Sequence, residues 1–277
     1  MKKEQIILII VLGIIIIGMI LIYSLKGKQE ENYNFEIHFF NAGKADAIIL
    51  SKDGKYMMID TGEEELSDEI IKYFQENNIT RLEYLIITHF DKDHVGSAST
   101  VINKVEVGEV LQSNVPKESE YYTNYLTALE NKNITPTTVS RDYEITLSDL
   151  EITVNGPEKI YDSNESNNSS LIVSITDGSN KFLFMGDSQN ARIKDFISTN
   201  TEEYDFLKVP YHGNYLKRLE ELLSTNKIKY AVITSSEEEK EDNETIEMLY
   251  KYNIKTYLTR EGSITVLSNG EEILIKQ

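Results

Sequence analysis

Between residues 87 and 97 the chain reads ITHFDKDHVGS, and four side chains able to bind a metal ion, His89, Asp91, Asp93 and His94, fall within six residues. They follow LEYLIIT (82–88), an apolar run suited to a buried strand. Packing alone does not call for imidazoles and carboxylates crowded behind a strand, so the fold must deliver this strand end to a polar site. A loop leaving a strand can turn adjacent and alternate side chains toward one point, and Gly96 permits the close backbone this needs. Two hard divalent cations, about 3.5–4 Å apart and sharing a water-derived hydroxide, would be neutralised by such a group. The plain alternative is a solvated charged loop entering a helix, with Asp91 or Asp93 as its N-cap. Company favours the metal: of only four His, a third, His212, lies in LKVPYHGN behind another predicted strand, and Asp187 closes KFLFMGD in the same way. The chain has no cysteine, so any metal site is built from His, Asp and Glu.

The rest of the chain predicts a scaffold able to bring these stretches together. FEIHFF, DAIILS and KYMMID read as short strands, the last two parted by the turn sequence Lys52-Asp53-Gly54. Residues 63–78 have helical spacing at Leu66, Ile70, Ile71 and Phe74. VEVGEVLQS, TPTTVS, YEITLSD, LEITVNG, SLIVSITD and KFLFMGD form a second series of strands, interrupted by a helix near 118–131 and a polar loop at 161–170. A helix over 190–199 follows, then strands FLKVP, YAVITS, IKTYLT and SITVLS, with helices over 215–225 and 242–252. Hairpins early and alternation later predict an α/β fold of two sheets with helices on their outer faces. Residues 35–277 are then one domain, of a size normal for such a sandwich.

Ahead of that domain, residues 6–23 read IILIIVLGIIIIGMILIY without a charge, between Lys2 and Lys3 on one side and Lys26 and Lys28 on the other. As a helix the run would extend roughly 27 Å, near the hydrocarbon thickness of a bilayer. It exceeds a signal-peptide core, and no small-residue cleavage pattern follows it. The expectation is a membrane anchor over 1–28, a linker over 29–34, and a single-pass protein of the cell membrane whose domain faces the extracellular side. The formal charge is −18; setting aside the four flanking lysines and Glu4 leaves 24 basic against 45 acidic residues. Such a surface repels phosphate backbones at long range, so nucleic acid binding is expected to be weak.

The motif His89-Phe90-Asp91-Lys92-Asp93-His94 resembles the HxHxDH loop of the metallo-β-lactamase superfamily. With Asp at its second position it is similar to the hydrolase domain of the competence DNA-uptake protein ComEC and its stand-alone relatives. FNAGKADAIIL (40–50), MMIDTG (57–62), NNSSLIVSI (167–175), FMGD (184–187) and LKVPYHGN (207–214) match that group's other motifs in order, so the resemblance spans residues 35–275. It implies an αββα sandwich in which His89 and Asp91 hold a first metal, Asp93, His94 and His212 a second, and Asp187 bridges them. Asp93 and Asp187 are then the catalytic carboxylates, with Asp93 also orienting the hydroxide. The usual third His has no counterpart, since no His occurs from 95 to 211 and Asn167, Asn168 or Ser170 occupies its segment. Tyr211 stands where the group often has another His and is expected to face substrate. Fewer imidazoles and more carboxylates move the preference for two divalent ions from strict zinc toward manganese or magnesium, with zinc still admissible.

Other residues have plainer readings: His38 alternates along a strand as a structural residue, Asp60 supports the metal loop, and Tyr121, Tyr122 and Tyr125 pack. The leading expectation is a metal-dependent hydrolase acting on a phosphodiester, in nucleic acid or another small hydrolysable substrate. An amide or lactone hydrolase of the same fold and a non-catalytic metal-binding surface module are the alternatives, the latter favoured by the absent third His.

Overall fold

The computed structural model describes residue 5 and residues 12–19, 33–161 and 166–277. The chain divides into two compact units at Asn34/Phe35. In the first, residues 12–19 are helical. Among the described residues no helix is long and apolar enough to cross a membrane; most of the predicted span 6–23, and the linker up to residue 32, lie outside them.

In the second unit, alternation along β1 (Phe35–Phe39) buries Phe35, Ile37 and Phe39 while Glu36 and His38 face the other way. This period of two builds a layered structure. β2 (Ala47–Lys52), β3 (Lys55–Thr61), β4 (Arg81–Ile87), β5 (Glu106–Gln112) and the short β6 (Thr137–Thr138) continue one sheet from β1. The second sheet holds β7 (Asp142–Leu147), β8 (Leu150–Asn155), β9 (Ile172–Asp177), β10 (Asn180–Phe184), β11 (Phe206–Lys208), β12 (Tyr230–Ile233) and β13 (Lys255–Leu258) in the order 13-12-11-10-9-8-7. β14 (Ile264–Ser268) and β15 (Ile273–Lys276) then return to the first sheet, giving it the order 15-14-1-2-3-4-5-6. β3 through β6 run parallel, as do β10 through β13.

The inner faces meet in an aromatic core: Phe35 contacts Phe182 at 5.3 Å between ring centroids, and Phe39 lies 6.0 Å from Phe206. Each such ring, fully buried, contributes about 1.5–3 kcal/mol of hydrophobic stabilisation. On the outer face of the first sheet, Ile49, Met58 and Leu85 pack against Phe74 of α1 (Ser67–Glu76), Val101 and Ile102 of α3 (Ala98–Lys104), and Leu129 of α4 (Glu120–Asn131). Between α1 and α3 the metal-loop sequence forms a single helical turn, α2 (Lys92–Val95). On the far side, Leu183, Leu207 and Ile233 pack against Phe196 of α5 (Asn190–Thr199), Leu222 of α6 (Leu219–Thr225) and Leu249 of α7 (Asn243–Lys251). The outcome is the expected αββα sandwich.

Two elements go beyond the sequence reading. ASTVINK has weak intrinsic helix preference, yet α3 forms because Ala98, Val101 and Ile102 share one face and bury it. β15 is an edge strand whose residues stay half exposed, so its apolar signal is faint.

Candidate metal centre

Parallel strands send their carboxyl ends to one edge, and in both sheets that is where the chemistry-bearing residues lie. Thr88 and His89 follow β4, Asp60 lies near the end of β3, Asp187 and His212 follow β10 and β11, and Thr234 follows β12. Asp46 immediately precedes the antiparallel β2, whose start reaches the same edge.

Local geometry then aims the side chains. In α2, the carbonyl of Asp91 accepts from the backbone N–H groups of His94 and Val95, both at 3.0 Å, and the single turn brings Asp93 and His94 forward together. Asp91 occupies the N-cap backbone position, but its side chain makes no capping bond. Gly96 has ordinary right-handed torsions; a Cβ there would lie 2.5 Å from the carbonyl oxygen of Lys92 and 2.7 Å from the backbone around Gly62. Its part is close approach. Tyr211, His212 and Gly213 are all left-handed, with φ of 53°, 52° and 77°, a costly sequence for two side-chain-bearing residues. That turn carries His212 back over the strand ends, fixed where the Tyr211 N–H donates to the carbonyl of Gly186 at 3.1 Å.

Four of the predicted residues converge. His94 Nε2 and His212 Nε2 lie 3.3 and 3.2 Å from Asp187 Oδ1, and His212 Nε2 lies 3.3 Å from Asp93 Oδ2. One ligand atom from each of Asp93, His94, Asp187 and His212 lies within 4.8 Å of every other. His94, Asp187 and His212 are buried, while Asp93 is on the open side.

The other nitrogen of each ring is already committed. Asp60 Oδ2 accepts from His94 Nδ1 at 2.8 Å, and Asp60 is held by donation from the Thr88 N–H and hydroxyl, each at 2.7 Å. The carbonyl of Thr234 accepts from His212 Nδ1 at 3.1 Å, and His89 Nδ1 lies 3.2 Å from the Thr88 hydroxyl. These bonds select the tautomer that leaves Nε2 as a bare lone pair. His89 Nε2, His94 Nε2, His212 Nε2 and Asp187 Oδ1 are all buried without a hydrogen-bond partner. Buried polar atoms are ordinarily paired, and three of these orphans, His94 Nε2, His212 Nε2 and Asp187 Oδ1, converge within one ligand cluster, an arrangement that a bound cation satisfies.

The same carboxylates also attract protons to these rings, so a cation binds in competition with protons. Burial opposes charge on His94, but the carboxylates of Asp187, Asp60 and Asp93 overcome it and raise its pKa well above the ordinary value. His212 is likewise raised to about 9 against burial, chiefly by Asp187. Asp187 itself is held well below the usual carboxylate range by His212 and His94 despite its desolvation. His89 moves the other way, its charged form disfavoured by burial and by His94.

The sequence model described as "Metallo-beta-lactamase superfamily" matches residues 41–235. The chain belongs to this superfamily. This metallo-beta-lactamase-fold protein is a metal-dependent hydrolase, of a fold that binds divalent metals, often two. Recombination protein 2 of Haemophilus influenzae is 28% identical over 215 residues, 75% of this chain and 25% of that protein. ComE operon protein 3 of Bacillus subtilis is 24% identical over 200 residues, 70% of this chain and 25% of the relative. The chain thus spans about a quarter of the length of these curated relatives. Among solved structures, Tm1679, described as a metal-dependent hydrolase of the beta-lactamase superfamily, superimposes with a TM-score of 0.57 at 13% identity, covering 83% of this chain and 98% of that one. That likeness shows the fold.

Within this metallo-beta-lactamase site, His89 and Asp91 stand apart from the four-residue set. His89 Nε2 and Asp91 Oδ1 are 3.8 Å apart, and Asp91 Oδ1 accepts from Lys117 Nζ at 2.6 Å and from the Ser166 hydroxyl. Asn168 and Ser170, in the segment of the absent third His, are structural: Asn168 Oδ1 accepts from the N–H groups of Gln189 and Arg192 at the start of α5, and Ser170 Oγ accepts from the Asp187 N–H at 3.1 Å. Tyr211 is half-buried, its phenol pKa raised by desolvation and then by Asp187, Asp91 and Asp93.

Sequence reasoning passed over the layer beneath. Lys208 is completely buried and paired with Asp46, whose other oxygen accepts from the Thr234 hydroxyl at 2.6 Å. Thr234 in turn contacts His212, so this ion pair props up a ligand from below. A lysine inside the apolar strand FLKVP was the available signal.

Proposed function

We propose that this chain is a metal-dependent phosphodiesterase working at the cluster of Asp93, His94, Asp187 and His212, as part of a membrane-anchored protein. The observation that carries the reading is the set of buried ligand atoms without hydrogen-bond partners at the strand ends. When bound there, a divalent cation supplies Lewis acidity and lowers the pKa of water toward neutrality. Manganese or zinc suits the donors, two imidazoles and two carboxylates, with magnesium a weaker match.

The chain's own residues supply the rest. Asp60 and Thr234 lock the His94 and His212 rings, Ser170 holds the Asp187 backbone, and Asp93, on the open side, is placed to orient a water. Lys117, on Asp91 and still partly exposed, is the cation best placed to meet an anionic substrate, since Lys92 and Lys44 are paired with Glu63 and Glu239. The Haemophilus relative is named for recombination, which agrees with a phosphodiester. An overall charge of −18 argues against tight or processive nucleic acid binding. Residues 6–23 would anchor the protein in the cell membrane with the domain outside, a topology that protease treatment of intact cells would test.

The test is turnover by the full chain in detergent, with manganese, magnesium or zinc, against a chromogenic phosphodiester, single-stranded DNA and a β-lactam. Phosphodiester cleavage that disappears in Asp187→Ala and His94→Ala supports the proposal. Cleavage of the β-lactam alone would make it an amide hydrolase, and stoichiometric metal with no turnover would make it a binding module.

A further inference from the structure

We infer, resting on the metal-centre reading, that this chain holds one divalent cation, in the set of Asp93, His94, Asp187 and His212, and that the Lys117 ammonium stands in for the second. Asp91 Oδ1, the oxygen that faces His89 Nε2, already accepts two donors, Lys117 Nζ and the Ser166 hydroxyl. A carboxylate oxygen has two lone pairs, and both are engaged. The residues that could complete a first site are closed as well, since Asn168 caps α5 and Ser170 holds the Asp187 backbone. That leaves His89 Nε2, a share of Asp187 and the second oxygen of Asp91, whose carboxylate already carries the Lys117 ammonium.

Lys117 is also delivered by built structure. Two residues on, Ser119 caps α4 by accepting from the Tyr122 N–H at 3.1 Å, and the Tyr122 ring packs 4.4 Å from Phe90 inside the metal loop. The start of α4 is therefore tied to the loop whose carboxylate the lysine meets. The ammonium neutralises Asp91 locally, and a second dication would have to displace it against like-charge repulsion. Lys117 keeps 38% of its side-chain exposure, so the fixed charge remains available to an anionic substrate group.

Counting bound ions tests this without reference to any substrate. The metal-depleted full chain in detergent is dialysed against excess zinc, and zinc per chain is measured by elemental analysis. The expected result is one ion in the wild type and in Lys117→Arg, two in Lys117→Gln, and none in Asp187→Asn. Two ions in the wild type would overturn the inference while leaving the metal centre intact, and one ion in Lys117→Gln would overturn the role given to Lys117. No ion in the wild type would remove the metal-centre reading and this inference together. One bound zinc without phosphodiester cleavage would sink the proposed substrate class alone.

Discussion

Where β2 ends, the Lys52 ammonium is buried 2.7 Å from Asp177 and 3.3 Å from Asp149, and the second Asp177 oxygen accepts from the Ser268 hydroxyl at 2.6 Å. Asn180 donates to that same hydroxyl at 2.9 Å and so joins the two sheets. Where β2 begins, Asp46 is buried with Lys208, but just above them three imidazole nitrogens and a carboxylate oxygen have no hydrogen-bond partner. One end of the sandwich closes its polar valences and the other holds them open. Burial of charge alone therefore does not mark a functional site; open valences that converge do.

The contrast breaks first, and by the largest margin, if a substitution at the closed end disturbs metal binding. Lys52→Met leaves Asp177 buried without its cation and should cost about 3–5 kcal/mol of stability in chemical denaturation, with zinc affinity unchanged. A collapse of zinc affinity in this variant, measured by calorimetry under folded conditions, would mean the two ends are not separate.

At the open end the next effect is smaller and of another kind. Asp60→Asn loses a full carboxylate acceptor for His94 Nδ1 and should weaken zinc binding by roughly 10–100-fold. Affinity equal to wild type would remove Asp60 from the centre.

The smallest effect sharpens the contrast through pH. His38 stacks on Tyr73 at 4.6 Å between centroids, and burial lowers its pKa from 6.5 to about 4. The unfolded chain therefore binds this proton before the folded one does, so the stability from a neutral His38 is complete above pH 6.5 and declines as pH falls toward 4. Allowing for its partial exposure, the loss is about 1–2 kcal/mol. As pH falls through this interval the urea midpoint of the wild type should drop relative to that of His38→Phe; parallel curves would show that His38 does not carry the titration.

The motif loop, the strands and most helices were legible because period-two and period-3.6 patterns survive in the sequence, as with Phe35, Ile37 and Phe39 on β1. Legibility failed where tertiary contact overrides local preference, as in α3, and where a residue's meaning depends on a distant neighbour. Nothing near Lys117 in sequence points to Asp91, 26 residues earlier, or near Asp46 to Lys208. Gly96 shows an intermediate case: its small size was readable, whereas the backbone of Gly62 and Glu64 that requires it was not.

Anomalous diffraction at the zinc edge from crystals of the zinc-loaded protein tests whether the four ligands hold a cation. A peak is expected about 2.0–2.2 Å from His94 Nε2, His212 Nε2 and oxygens of Asp187 and Asp93. Zinc-replete crystals with no peak among those four residues, and with the imidazole nitrogens hydrogen-bonded to the carboxylates instead, would contradict it.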